Sequence, residues 1–221
     1  MSIRRTKSLI NGVGINDATE SITKSVFVNG KYKLVWRCPY YEKWKSMLDR
    51  CYFQKGVTRH KAYVDCYVCD EWLTFSNFKS WMETQDWEGK QLDKDLLLLG
   101  NKVYSPETCC FIYADLNVSI AKTKAGKYPT GVYYCYNVNR PPLKKPYYAR
   151  LGNINSSNFK NLGMFFSPEE GHRAWQKAKI EDLNRHKSKY TNLTILRGIT
   201  NRIDKLQFEY DNFLETIDYK L

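Results

Sequence analysis

The segment 129–179, PTGVYYCYNVNRPPLKKPYYARLGNINSSNFKNLGMFFSPEEGHRAWQKAK, contains three short runs rich in Tyr, Val and Phe, at Thr130–Tyr136, Tyr147–Leu151 and Lys160–Met164. Polar loops containing Pro141-Pro142, Gly152-Asn153 and Ser156-Ser157 separate them, as turn residues separate strands. The pattern predicts a three-stranded antiparallel sheet. Ser167-Pro168-Glu169-Glu170 then supplies an N-cap, a proline at the first helical position and acids in the first turn. Ala174, Trp175, Ala178 and Leu183 form the packing stripe of a helix covering the sheet. The charge of the chain gathers in the same place. Residues 126–166 hold six Lys or Arg and no Asp or Glu, interleaved with Tyr128, Tyr133, Tyr134, Tyr136, Tyr147 and Tyr148. Counted on to residue 190 there are 12 basic against 4 acidic side chains, net +8 of a formal +12 for the whole chain, whereas residues 33–125 hold 14 against 12, net +2. An acid-free, tyrosine-rich basic stretch points to a polyanion, because Lys and Arg displace counterions from phosphates. The plainer reading is a solvated basic face.

On the C-terminal side, Leu193 to about Ile217 carries Ile195, Ile199, Ile203, Leu206, Phe208 and Phe213 as the apolar positions of a last helix. On the N-terminal side, Tyr41, Trp44, Met47, Leu48 and Cys51 fall at the spacing of a helix face over Tyr40–Tyr52, and Trp72, Phe75, Phe78 and Trp81 do so over Cys69–Trp81. Gln91–Leu99, the Gly100-Asn101 turn and Lys102–Tyr104 predict a β-hairpin. Ser105-Pro106-Glu107 predicts the start of a helix running to about Ala121. Residues 1–32 are polar and lack a sustained period, which predicts an arm with one short strand near Ser25–Val28, free to touch the body or DNA. The fold class expected is α+β: a helical N-terminal region with a ββα unit, then a three-stranded antiparallel sheet backed by a helix, and a C-terminal helix. The segments expected are 1–32, 33–125, 126–190 and 191–221.

A chain of 221 residues with 43% hydrophobic and 26% charged side chains has the composition of a folded globular protein, not of a disordered tail. No apolar run approaches the roughly 20 residues of a membrane helix, and MSIRRTKSLINGVGIND lacks the apolar stretch of a signal peptide; neither export nor membrane insertion is expected. Seven cysteines, an odd number without small-scaffold spacing, predict free thiols in a reducing cytoplasm. Cys66-Tyr67-Val68-Cys69 has zinc-knuckle spacing. Its only candidate complement, Cys109-Cys110, is adjacent and not spaced by two, so structural zinc is not expected and buried thiols are. No P-loop, GxGxxG, Ser-His-Asp set or Cys/His protease signature is present.

Residues 92–117, LDKDLLLLGNKVYSPETCCFIYADLN, resemble a divergent HNH nuclease motif of the ββα-metal class, in the variant common among phage proteins. The likeness extends loosely through PYYEKWKSMLDRCY and CDEWLTFSNF. It implies that Asp93 is the hairpin's metal ligand, that Thr108 stands where the family has Asn, and that Asn117 is the helix ligand. Such oxygen donors favour Mg²⁺ or Mn²⁺. Lys94 stands where the family's general-base His would be, and lysine is a poor base unless its pKa is depressed. Lys94 is then a phosphate holder, and the base is His60 of the TRHK loop, a tyrosine such as Tyr104, or a water. Without the resemblance, Asp93 and Asp95 read as turn or surface carboxylates and Asn117 as an ordinary helix residue.

Residues 129–185 are similar to an APETALA2-like DNA-binding domain, through Gly131-Val132, Ala149, Leu162-Gly163, Phe165, Glu169-Glu170 and Ala174-Trp175. The resemblance implies that the open face of the sheet lies in the DNA major groove while the helix backs it. Period-two alternation would turn Val132, Tyr134, Ala149 and Leu151 to the helix and Tyr133, Cys135, Tyr148, Arg150 and Asn161 to DNA. Arg150 can address a guanine edge, Asn161 a base or phosphate, and Arg140, Lys144, Lys145 and Lys160 the phosphates. Several of the family's arginines are replaced, by Tyr133 and Cys135 among others, so no sequence preference carries over. An HNH unit joined to such a domain resembles free-standing phage homing endonucleases. That implies a metal-dependent enzyme, monomer or homodimer, that nicks or cuts double-stranded DNA in the cytoplasm, which for a phage-encoded protein is that of the bacterial host. The competing expectations are a catalytically inactive HNH-derived DNA-binding protein with a regulatory or phage–host role, and a structural protein whose basic patch serves RNA or an acidic partner.

Overall fold

Helix α1, Pro39–Tyr52, forms where the spacing predicts it, with Pro39 at its start, Glu42 in its first turn and Arg50 in its last, each on the favourable side of the helix dipole. The computed structural model describes residues 9–53, 63–121, 126–136, 143–152 and 159–217. Among these the chain is α+β, and its contacts separate two units, Met1–Ile112 and Tyr113–Leu221.

The first unit is built around α1. Tyr41, Trp44, Met47, Leu48 and Cys51 are buried against aromatic rings of the following segment. The region expected to be one helix over Cys69–Trp81 divides into a 3₁₀ turn, Asp70–Leu73, and helix α2, Phe75–Glu83. Trp72 meets Phe78 at 5.1 Å and Trp81 at 4.4 Å between ring centroids. Trp44 Nε1 donates to the Trp72 carbonyl at 2.7 Å, so this buried indole keeps a partner for its N–H.

Of the N-terminal segment, residues 9–32 are described, and they touch the body of the first unit. Ile15 N–H bonds to Leu73 O at 2.8 Å and Phe75 N–H to Ile15 O at 3.0 Å, and a Cβ on Gly14 would stand 2.4 Å from Leu48 Cδ1. The chain then turns into a hairpin, β1 (Thr23–Val28) and β2 (Lys31–Arg37). Its two-residue turn has Asn29 at φ 50° and Gly30 at φ 77°, the type I′ requirement that Asn-Gly meets.

A larger correction concerns residues 91–121. Short strands form at β3 (Tyr67–Val68), β4 (Gln91–Asp93), β5 (Val103–Tyr104) and β6 (Cys110–Ile112). Strand β4 pairs antiparallel with β6 and not with β5, which pairs parallel with β3. The helix expected from Ser105 is a turn: Cys109 N–H bonds to Ser105 O at 3.0 Å, and Thr108 Oγ1 donates to Val103 O at 2.8 Å. The cap signature is local, whereas Cys109, Cys110, Phe111 and Ile112 are all buried. A short run buried on both faces suits a core strand better than the first turns of a half-exposed helix. Helix α3 is confined to Ala114–Ile120. The division between units falls before it, so α3 groups with the second unit and not with a segment ending at 125.

The second unit contains the expected sheet: β7 (Val132–Tyr134), β8 (Tyr147–Leu151) and β9 (Lys160–Phe165), antiparallel in the order β7-β8-β9. Helix α4, Pro168–Lys187, starts as the sequence predicts, with Ser167 Oγ accepting from Glu170 N–H at 3.2 Å and Glu170 Oε2 from Phe166 N–H at 3.1 Å. Gly131 has φ +83°, and a Cβ there would fall 2.1 Å from Trp175 Cδ1. Helix α5, Leu193–Asp211, ends earlier than the apolar spacing suggests because the tail turns back onto α4. Thr216 lies at the centre of that closure. Its N–H donates to His172 Nε2 at 3.0 Å, its carbonyl accepts from Thr130 Oγ1 at 3.0 Å, and its hydroxyl donates to Glu209 at 2.6 Å. His172 Nδ1 in turn bonds Thr130 O at 2.9 Å, which sets the ring as the neutral Nδ1–H tautomer. The C-terminal helix therefore belongs to the body of the second unit.

Along α3 and α4 a polar seam joins Ser119, Asp182, Lys179, His186 and Asp115. Burial lowers the Lys179 ammonium to about 8, with Asp182 opposing. Burial also lowers His186, despite the nearby carboxylates of Asp182 and Asp115.

Gly131→Ala should destabilise the second unit by roughly 3 kcal/mol, through positive φ and overlap with Trp175. Gly126→Ala, with nothing within 4 Å of its Cβ, should leave the urea midpoint almost unchanged. Because His186 binds its proton less readily when folded, stability is full above the ordinary histidine value and declines as pH falls below about 6.5. Thermal melts from pH 8 to 5 should show a smaller decline for His186→Gln than for the wild type.

Candidate functional site

The pleat of β7–β9 gives the sheet two different faces. Val132 and Ala149 are buried on one, where a Cβ on Gly171 of α4 would come 3.3 Å from a Val132 methyl. On the other, Tyr133 and Tyr148 are direct cross-strand partners whose rings stack at 5.3 Å and 21°. The Arg150 guanidinium lies over this stack, 4.6 Å from the Tyr148 centroid, 5.9 Å from Tyr133 and 4.3 Å from Phe159. Stacking on aromatic faces holds the planar group in place while leaving its N–H donors at the rim. A register shift between Ala149 and Arg150 sets Arg150 opposite Asn161, and Asn161 Oδ1 accepts from Gly163 N–H at 3.1 Å. Burial, aided by Tyr148 and opposed by Arg150, pushes the Tyr133 phenol up, which keeps it a neutral donor.

The structure thus brings Tyr133, Tyr148, Arg150 and Asn161 to one part of the sheet. Lys144, Lys145 and Lys160 are exposed, and the Lys145 ammonium stands 4.8 Å over the Phe166 ring. Arg140 and His60 lie outside the described residues. Sequence reasoning missed Phe159 and Phe166. Phe159 stands two residues before Asn161, so the same alternation that selected Asn161 was the available signal. A second tyrosine group, Tyr128, Tyr134, Tyr136 and Tyr147, gathers with centroid separations from 4.8 to 6.2 Å.

In the first unit, residues 94–109 connect β4 to β6 and include β5. Asp93 is buried, and its Oδ2 accepts from the N–H groups of Asp95 at 2.9 Å and Leu96 at 2.6 Å. Lys94 is only 4% exposed. Its ammonium donates to Asp95 Oδ1 at 2.7 Å and Asn101 O at 2.8 Å. Asn101 answers from across the loop: its Nδ2 donates to Lys94 O at 2.8 Å and Val103 O at 2.6 Å, and its Oδ1 accepts from Val103 N–H at 3.0 Å. Burial pushes the Tyr104 phenol strongly up, although Arg50 opposes it. Thr108 spends its hydroxyl on Val103 O and Ser105 within the loop. Asn117 lies on α3, in the second unit.

The carboxylate of Asp93 and the amide oxygen of Asn117, the two ligands expected, are of the donor type that Mg²⁺ or Mn²⁺ takes, each ion completing its shell with water. Among the described residues no group of three or more His, Cys, Asp or Glu is gathered for a metal ion. Cys66 and Cys69 carry thiols raised by burial, Cys109 is pushed up to about 12, and Cys110 is raised further by burial and the Asp93 charge. No helix among the described residues is long and apolar enough to cross a membrane. Compared with known proteins, the chain matches no protein-family model, no curated protein and no solved structure.

Proposed function

We propose that the protein is a metal-dependent DNA endonuclease of the HNH homing type, whose second unit holds double-stranded DNA on the outer face of β7–β9. The observation that supports the reading best is Arg150, held by three aromatic rings at the centre of an acid-free stretch of sequence. A pre-positioned guanidinium pairs bidentately with the O6 and N7 of guanine, and its ordering cost is met before binding. Lys144, Lys145 and Lys160 neutralise phosphates around it. In the first unit Asp93 is the proposed metal ligand, and a divalent ion there would stabilise charge on the scissile phosphate and the leaving oxygen. Lys94 holds the loop in this scheme, its ammonium donating to Asp95 and Asn101. Activation of the attacking water falls to His60 or to solvent.

A second reading, a non-catalytic DNA-binding protein on the same scaffold, is favoured by the loop itself. Asp93 capping a turn and Lys94 tying the loop to Asn101 are roles that require no metal.

Arg150→Ala should cost about 1–3 kcal/mol on the preferred duplex and flatten base preference, while Lys145→Ala should weaken all duplexes alike and reduce the salt slope by about 1. Fluorescence anisotropy over a salt series measures both. The two readings separate on Asp93→Asn, which keeps an oxygen to accept the Asp95 and Leu96 N–H groups but removes the charge. Supercoiled plasmid with Mg²⁺ should be nicked by the wild type and left intact by Asp93→Asn, with DNA affinity changed by no more than a few-fold. A wild type that binds duplex tightly yet never nicks favours the second reading.

A further inference from the structure

The β1–β2 hairpin pairs extensively only with itself among the described residues, and all of its strand residues are exposed. Phe27 is 64% and Tyr32 79% exposed. Residues 23–37, TKSVFVNGKYKLVWR, contain four cations and no acid. Of these cations, Arg37 is ion-paired, to Glu42 at 3.4 Å.

The register sorts the side chains by face. Val28 stands opposite Lys31, Val26 opposite Lys33, and Lys24 opposite Trp36, while Phe27 faces Tyr32 and Ser25 faces Leu34. Opposed residues share a face and successive residues alternate. Lys24, Val26, Val28, Lys31, Lys33 and Trp36 therefore form one side, and Ser25, Phe27, Tyr32 and Leu34 the other. The irregularity between Lys24 and Ser25 is what keeps Trp36 with Lys24, whose ammonium lies 5.2 Å from the indole centroid. Three of the four cations thus point the same way on a narrow ribbon.

We propose that the Lys24–Lys31–Lys33 face of this hairpin is a separate DNA-contacting surface that grips the phosphates of duplex DNA. A two-stranded ribbon has the width that the major groove admits, and an acid-free face of three lysines complements the charge of its walls. A lipid surface fits less well. The lysine side also carries Val26, Val28 and Trp36, so apolar and charged groups are not segregated to opposite sides as interfacial binding requires. The surface belongs to the first unit and does not depend on Arg150 or on any catalysis.

The test uses the full chain carrying Lys24→Gln, Lys31→Gln and Lys33→Gln together, beside the wild type and Arg150→Ala. Binding to duplexes of mixed sequence is followed over a salt series, with thermal melts to show that these exposed changes leave folding intact. The triple variant should bind every duplex more weakly and lose about 2–3 from the log–log salt slope, at roughly 0.9 per phosphate neutralised. An unchanged slope overturns the proposal. So does a variant whose only changes are in sedimentation, marking the ribbon as a contact between copies, or in binding to vesicles containing phosphatidylserine, marking it as a lipid surface. A normal response to the triple variant with none to Arg150→Ala would leave the hairpin standing and remove the sheet.

Discussion

Trp175 of α4 occupies the space that any side chain at position 131 would need, and the second unit is organised by that contact. The helix can lie so close only because β7 begins with a glycine at positive φ. Once it does, one face of the sheet is sealed by Val132, Ala149 and Phe165. The other face is left to side chains too large and too polar for a core. Tyr133, Tyr148 and Arg150 occupy it, and since the helix cannot cover them they cover one another. The stacked arrangement is thus a consequence of close packing on the opposite side. The Thr216 closure secures the same contact from behind, by bonding to His172 and Gln176 on the helix and to Thr130 beside the glycine.

The parts of this fold that were legible in the sequence are those governed by local rules. Helix α1 announced itself through five apolar positions on one face, α4 through its cap, and β7–β9 through Tyr- and Val-rich runs between turn residues. What was hidden depends on partners distant in sequence. Nothing near Gln91 says that its strand pairs with residues around 111 and not around 103. The Ser-Pro-Glu signature argued for a helix at 105, and it lost because four successive residues after it are needed in the core. The β1–β2 hairpin is a different case. Its Asn-Gly turn was in plain view, but the polar composition of the first residues obscured it. The outward direction of Arg150 followed from alternation, and the same alternation carried one step back from Asn161 reaches Phe159, which lies just before the strand.

The loop between β4 and β6 shows how burial changes the meaning of a motif. In an extended hairpin, Asp93-Lys94-Asp95 would present three charged groups to solvent. Here the middle one is enclosed and the first is directed at backbone N–H groups, so the side chains hold the loop's shape. A low-dielectric setting makes such bonds stronger and their loss more costly. Any chemistry at Asp93 is consequently done by a carboxylate whose orientation is already fixed, which is the condition for placing a ligand accurately.

The cysteines carry a last consequence. Oxidants and alkylating agents react with thiolate and hardly at all with thiol. Cys109, just before β6, and Cys110, within it, are buried side chains whose protons are held above the ordinary thiol range, and Cys66 is likewise raised. The burial that draws residues 109–112 into the core thus also disfavours the thiolate form of Cys109 and Cys110. The partly exposed cysteines are Cys38, which leads into α1, Cys69, whose thiol is also raised by burial, and Cys135, which follows β7.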